Sequence, residues 1–408
     1  MTNAAQPISA AMAATFPPPV PEAQRWLQGV TFGQDRPLLN VSQAAPVLQP
    51  PEGLRAAMAD AVMKDASAHL YGPVLGHHAL RAAVAERWRA AYAGQVAADQ
   101  IAITAGCNQA FAAALSTLAG AGDEVILPVP WYFNHKMWLD MSGAVAVPMP
   151  VGPDMIPDPA GAARLITPRT RAIAIVTPNN PAGVEYPAGV VGAFRDLARA
   201  HGIALIIDET YRDFDSRDGP VHDLFQDPDW DQTIIQLYSF SKAYRLTGHR
   251  VGAIAASSVR LAEIEKFQDT VAICPPALGQ IGALWGLRNL SDWLEGERAE
   301  ILARRAAMEH GIGATASGWQ LAGSGAYFAY LRHPFDWPAR AVAPALVRAA
   351  AILCLPGDMF YPTGDRTGEA ELRIAFANID RDQIALLIER LNDPGLEAAL
   401  GAEISGNR

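Results

Sequence analysis

The chain is 408 residues long, half of them apolar and 18% charged, so it can bury the core of one large domain or two ordinary ones. Lys and Arg number 32 against 42 Asp and Glu, a formal charge of −10 without a basic cluster, which argues against nucleic acid or an anionic membrane as partner. Cys107, Cys274 and Cys354 are widely spaced with no CxxC pair, and no apolar run approaches the roughly 20 residues that span a bilayer. Disulfides, structural zinc and membrane insertion are not expected, and a reducing, cytoplasmic setting is.

In chain order, Met1 to Pro21 is rich in Ala and Pro with no basic residue before Arg25, a poor secretion signal. Phe16 to Pro21 reads as an extended N-terminal arm. The first 45 residues are too few and irregular for a domain and are expected to pack against the C-terminal part or a partner subunit. From about residue 100, short β-branched apolar runs alternate with Ala- and Leu-rich helical stretches. The runs are Ile101–Thr104, Glu124–Leu127, Ala172–Thr177, Ala204–Asp208, Ile234–Tyr238 and Val251–Ala255. Continuous apolar runs between helices predict strands buried on both faces, hence an α/β fold with a mostly parallel sheet.

Beyond about residue 290 the pattern changes. It predicts a charged helix from Ser291 to His310, a strand at Ala326–Leu331, a helix near Pro338–Ala351 and strands at Ile352–Leu355 and Leu372–Phe376. A final helix opens after Asp380, a good N-cap, and runs to about Leu391. The expected organisation is an arm (1–49), a large domain (50–288) and a smaller α+β domain (289–408) to which the arm belongs.

Polar residues recur where strands end, the edge at which open α/β sheets bind ligands. Lys242 lies in Ser239-Phe240-Ser241-Lys242, directly after a strand, with Arg250 eight residues later. A lone lysine there is ordinarily a solvated loop residue. Between two hydroxyls and near a guanidinium, a cleft-edge lysine gains phosphate donors on either side and a lowered pKa. A tethered phosphate beside a carbonyl-condensing lysine describes pyridoxal phosphate. Asp208 ends an apolar strand, and its plain role is a turn cap; beside Lys242 it can instead face a pyridine nitrogen and keep it protonated. Tyr211 follows three residues later, its ordinary role being core packing. Thr177 to Gly183, with two prolines and two asparagines, is a turn-forming loop that offers Asn180 as a donor. Gly106-Cys107-Asn108 leads into a helix whose free amides suit a phosphate, a weak signal taken alone.

These motifs, in this order from about Leu38 to Asn378, resemble the class I and II aminotransferases among the fold-type I pyridoxal-phosphate enzymes. The resemblance implies a Schiff base at Lys242, the proton-transfer base, with Asp208 as pyridinium partner and Asn180 and Tyr211 at the ring oxygen. It implies a phosphate cup of Ser239, Ser241, Arg250 and the amides of Cys107 and Asn108, with Tyr132 stacked on the ring and Trp131 the neighbouring candidate. It gives Arg373 to the substrate α-carboxylate and Tyr71 to the phosphate of a neighbouring subunit, hence a homodimer with shared sites. Near the N-terminal substrate loop the family often carries Gly-x-Pro-Asp; here the stretch is Ser42-Gln43-Ala44-Ala45-Pro46-Val47, with alanine in place of the glycine.

The implied activity is transfer of an amino group from an L-amino acid to a 2-oxo acid by a ping-pong route through an aldimine at Lys242. The same cofactor also serves lyases such as carbon–sulfur β-lyases, racemases and decarboxylases. A non-catalytic regulator with this domain would need a DNA-binding module ahead of it, and the roughly 40 preceding residues carry no helix-turn-helix pattern. A nicotinamide dehydrogenase would want G-x-G-x-x-G after the first strand, which Gly106-Cys-Asn-Gln-Ala-Phe does not supply. The aromatic group Trp131, Tyr132, Phe133 and Trp138 suits either packing or an apolar donor, and His135 and His249 read as satisfied polar residues.

Overall fold

A computed structural model describes residues 7–314 and 317–406. After a two-residue strand β1 (Leu39–Asn40), seven strands form the central sheet: β2 (Ile101–Thr104), β3 (Glu124–Val129), β4 (Val145–Pro150), β5 (Thr170–Val176), β6 (Ala204–Asp208), β7 (Ile234–Ser239) and β8 (Gly252–Ala255). Their order is β2-β8-β7-β6-β5-β3-β4, with β8 antiparallel to both neighbours and the other pairings parallel. Side chains alternate between two cores. Ile173, Ile175, Leu205 and Ile207 face one, while Ala172, Ala174, Ala204 and Ile206 face the other. The small residues on the second face let the helix Cys107–Ser116 lie close, through Ala110, Phe111, Ala113 and Ala114.

The remaining strands are β9 (Gln320–Gly325), β10 (Phe328–Arg332), β11 (Ile352–Leu353), β12 (Leu355–Pro356) and β13 (Glu371–Ile374). Four make an antiparallel sheet in the order β12-β13-β10-β9, and β11 pairs in parallel with β1. A third core joins Leu39, Val41 and Ala44 to Phe328, Ile374 and the helices Ala339–Ala350, Arg381–Leu391 and Leu396–Gly406. The segment after β1 is thereby fixed to the C-terminal layer. Among the described residues no helix is long and apolar enough to cross a membrane, and no cluster of His, Cys, Asp and Glu could hold a metal ion.

Several elements differ from expectation. β4 is absent from the sequence reading because its two prolines argue against a strand; they are tolerated because it lies at the sheet edge. β9 was not expected from its glycines. The run Ile352–Leu355 splits into β11 and β12, which pair in different sheets. The strand expected from Ala326 starts at Phe328, because Ala326 has φ +46° in the turn after β9. The helix after Asp380 is followed by one more, Leu396–Gly406, whose Leu396 and Leu400 fill the third core. The extended arm contains helices Ala10–Ala14 and Pro19–Arg25; a proline at the first helical position costs nothing, since its missing N–H had no partner to lose.

The parallel arrangement brings the C-terminal ends of β2, β5, β6 and β7 to one edge, and antiparallel β8 begins there, just after Arg250. The loop after β5 is locked against the β9–β10 hairpin. Gly183 has φ +80°, and a Cβ there would lie 2.6 Å from both the Gly325 nitrogen and the Phe328 carbonyl oxygen. Gly202 has φ +63° with nothing within 4 Å. Gly183→Ala is therefore expected to cost about 2–4 kcal/mol and Gly202→Ala about 1 kcal/mol. Denaturant midpoints of the two variants check this, and equal losses would contradict the packing account.

Candidate active site

A cavity of about 790 Å³ opens at this strand edge. At one end, Gly106 (φ +87°) starts the helix Cys107–Ser116 without a side-chain cap, so the first helical amides have no intrahelical acceptor. A Cβ on Gly106 would lie 2.2 Å from Arg250 Nη2, so only glycine lets the guanidinium sit over the helix start. Arg250 adopts a left-handed conformation (φ +47°) and donates to Ser241 Oγ at 3.4 Å and to the Thr247 carbonyl at 3.1 Å. Ser239 Oγ accepts from the Ser241 amide at 3.2 Å. Two hydroxyls, a guanidinium and a helix N-terminus thus converge with no carboxylate among them, a donor set that fits a phosphate dianion.

Deeper in the cavity, Asp208 is buried at the end of β6. Its Oδ1 accepts from the Thr210 amide at 3.0 Å, and its Oδ2 lies 3.3 Å from His135 Nε2. Burial alone would raise the carboxyl pKa, but His135 and Thr210 outweigh it and hold Asp208 below the ordinary carboxylate value, ionised at neutral pH. His135 stacks on Phe111, with centroids 3.8 Å apart and planes 12° apart, and the Tyr132 ring stands edge-on to it at 4.9 Å. Burial pushes the Tyr211 phenol and the Cys107 thiol well above their usual values, so both remain protonated.

The chain has four lysines. Lys64, Lys136 and Lys266 each pair with an acid on their own helix, Asp60, Asp140 and Glu263. Among the described residues Lys242 has no carboxylate partner; its Nζ donates to the Ala44 carbonyl and lies 6.0 Å from the Tyr211 ring centroid. Burial, then Arg250 and Arg373, lower its pKa to about 8.

Arg373, on β13, enters from the other layer with 2% of its surface exposed. It donates to Asn180 Oδ1 at 3.0 Å and to the Ser42 carbonyl, while its Nε has no hydrogen-bond partner among the described residues. Burial lowers its pKa to about 10. The loop supplying Ser42 and Ala44 is held by Asn378, which accepts from the Ala45 amide at 3.1 Å and donates to the Gln43 carbonyl.

Of the residues singled out from sequence, Lys242, Asp208, Tyr211, Asn180, Arg373 and Ala44 all line this one cavity. So do Cys107, Asn108, Tyr132, Ser239, Ser241 and Arg250. Tyr71 does not: it is 79% exposed and outside the cavity of its own chain. Trp131, the alternative to Tyr132, is buried in the core, and Trp138 packs edge-on to Phe267. Sequence reasoning missed the His135 contact, because its position two residues into a helix says nothing of Asp208, 73 positions away. It also missed Thr210 and the arm residues Pro18, Val20, Pro21 and Gln24, which form part of the wall.

A phosphate-binding end, an ionised carboxylate at depth and an unpaired low-pKa lysine between them fit pyridoxal phosphate, and with this sheet they define a fold-type I pyridoxal-phosphate enzyme. The profile described as aminotransferase class I and II matches residues 36–391, and the chain belongs to this family of pyridoxal-phosphate-dependent aminotransferases. It is 32% identical over 243 residues to an aromatic aminotransferase of Arabidopsis thaliana, covering 57% of this chain and 59% of that protein. An arginine–pyruvate transaminase of Pseudomonas aeruginosa is 30% identical over 298 residues, covering 72% of this chain and 75% of the relative. Among solved structures, a mutant of Thermus thermophilus aspartate aminotransferase superposes with a TM-score of 0.84 at 24% identity, over 95% of this chain and 99% of that one, a likeness of fold.

With a pKa of about 8, roughly one Lys242 in ten carries a free amine at pH 7. Rebinding of pyridoxal phosphate to cofactor-stripped protein should therefore accelerate as pH rises and level off above about pH 8. A rate still climbing at pH 10 would mean an ordinary lysine.

Proposed function

We propose that this aminotransferase passes the amino group of an L-amino acid to a 2-oxo acid in two half-reactions at this cavity. Arg373 holds the substrate α-carboxylate, and Lys242 moves the proton. The observation that carries the reading is Arg373 itself: a nearly fully buried guanidinium with no carboxylate partner and no hydrogen bond at Nε among the described residues. Burying an unpaired cation is costly, and an α-carboxylate arriving at its fork would relieve that cost. Asn180, bonded to Nη1, sets the tilt of the fork. Anchoring the carboxylate fixes the Cα–H bond relative to Lys242, which selects the bond that breaks.

Pyridoxal phosphate supplies an electron-withdrawing ring that acidifies the substrate Cα–H bond. Asp208, kept ionised by His135 and Thr210, would hold a proton on the pyridine nitrogen. Asn180 and Tyr211 would donate to the ring oxygen, with Tyr132 beside the ring. Ser239, Ser241, Arg250 and the amides of Cys107 and Asn108 would hold the phosphate. Lys242, whose amine is available near neutral pH, would move the proton at the substrate Cα.

Tyr71 is 79% exposed beside Leu70 at 67%, with Met63 nearby in sequence at 80%. Such apolar exposure supports a homodimer in which Tyr71 reaches the partner's phosphate. The reading includes a large domain over 50–288, a smaller one from 1–49 and 289–408, and a cytoplasmic setting, in keeping with three free cysteines.

Adding an L-amino acid without acceptor should shift the cofactor absorbance in one turnover, and a 2-oxo acid should restore it. Release of ammonia or a thiol with no such shift would place the chain among lyases instead. Arg373→Ala should lower kcat/KM for amino donors by about 30-fold or more, the cost of losing one partner of a buried charge pair; a loss under threefold would remove the carboxylate assignment.

A further inference from the structure

Tyr132 immediately precedes the helix Phe133–Ser142, and its carbonyl accepts from the His135 amide at 3.0 Å, which fixes the root of the side chain. The far end of the side chain is bonded twice. Asn134 Nδ2 donates to the Tyr132 hydroxyl at 2.9 Å, and that hydroxyl donates to Asn108 Oδ1 at 3.1 Å. Burial, then the nearby Asp208 and Cys107, push the phenol well above its usual value, so it keeps the proton it donates. Asn108 stands at the start of the helix Cys107–Ser116, whose amides serve the phosphate end of the cavity, and Asn134 lines the same cavity. Between root and hydroxyl, the ring is edge-on to His135 at 4.9 Å and tilted by 45° to Phe133 at 5.4 Å. A phenylalanine would offer the same ring face, so a hydroxyl held from both sides has a task beyond stacking.

We infer that Asn134 and the Asn108 carboxamide are positioning residues: through the Tyr132 hydroxyl they hold its ring ready for the cofactor and tie it to the phosphate end. The inference rests on the pyridoxal-phosphate reading of the cavity and not on which amino acids react. A tyrosine side chain turns about two bonds, and arresting them when a ligand arrives costs affinity; a ring already fixed avoids that cost. The three residues belong to one chain, so the relay does not depend on what a partner subunit adds to the site. His135, the residue after Asn134, lies 3.3 Å from Asp208. One helical turn therefore orients both the ring beside the cofactor and the carboxylate at its pyridine nitrogen.

The test is the dissociation constant of pyridoxal phosphate, titrated into cofactor-stripped protein, together with the circular dichroism induced in the bound cofactor. Tyr132→Phe and Asn134→Ala should each weaken binding by about three- to tenfold and change the dichroism alike. In the Tyr132→Phe background, Asn134→Ala should alter neither reading further, because the hydroxyl through which it acts is gone. The inference is overturned if Tyr132→Phe binds the cofactor as tightly as the unaltered protein. It is equally overturned if Asn134→Ala has the same effect in both backgrounds, which is the result a purely structural role would give. A protein that shows the expected pattern but transaminates no amino acid keeps the positioning role and loses the proposed function. One that takes up no pyridoxal phosphate overturns both.

Discussion

Among the described residues, Lys242, Arg250 and Arg373 share one cavity with Asp208 as its only carboxylate. Burial disfavours the charged form of both Lys242 and Arg373, and for Lys242 the guanidiniums of Arg250 and Arg373 add to it: Lys242 drops to about 8 and Arg373 to about 10. Two anions relieve the imbalance, a phosphate at Arg250 and a carboxylate at Arg373. The guanidiniums that attract them also add to the effect of burial in leaving the Lys242 amine partly deprotonated, so ligand capture and nucleophilicity share part of their electrostatic origin.

The scaffold keeps this arrangement from relaxing. Asp208 and Lys242 sit at or just beyond the ends of strands buried on both faces, between two separate cores. Arg373 and Ala44 come from the third core, and the Gly183–Gly325 contact fixes the loop carrying Asn180 against that layer. Glu209, next to Asp208, is fully buried away from the cavity, gripped by Tyr92, His222 and Gln236. Consecutive acids on opposite sides of the β6 end thus pin the position of the one that faces the cavity.

Much of this was legible in the residues. The runs Ile101–Thr104 and Ala204–Asp208 are strands with those bounds, and the others shift by at most two residues at either end, because burial on both faces leaves a continuous apolar signature. Strand ends then direct attention to Lys242, Asp208 and Asn180, and the neighbouring hydroxyls and Arg250 give Lys242 its setting. β4 and β9 escaped because their prolines and glycines are tolerated only at a sheet edge, a fact of topology rather than of local sequence. The His135–Asp208 contact and the arm residues on the wall escaped for a related reason. They depend on tertiary contacts between distant segments, and no spacing rule relates position 24 or 135 to position 208. The comparisons agree on the reaction class, yet the relatives are named for aromatic, arginine and aspartate substrates, so the substrate preference must be sought in the lining of this cavity.

The central claim is that Lys242 is the residue to which the cofactor is covalently attached. Because the chain has only four lysines, reduction of the holoenzyme with borohydride followed by peptide mass mapping resolves the point directly. The account predicts a phosphopyridoxyl label on the peptide containing Lys242 and none on those containing Lys64, Lys136 or Lys266. A label at any of those three instead, or a transaminating enzyme that reduction leaves unlabelled, would contradict it.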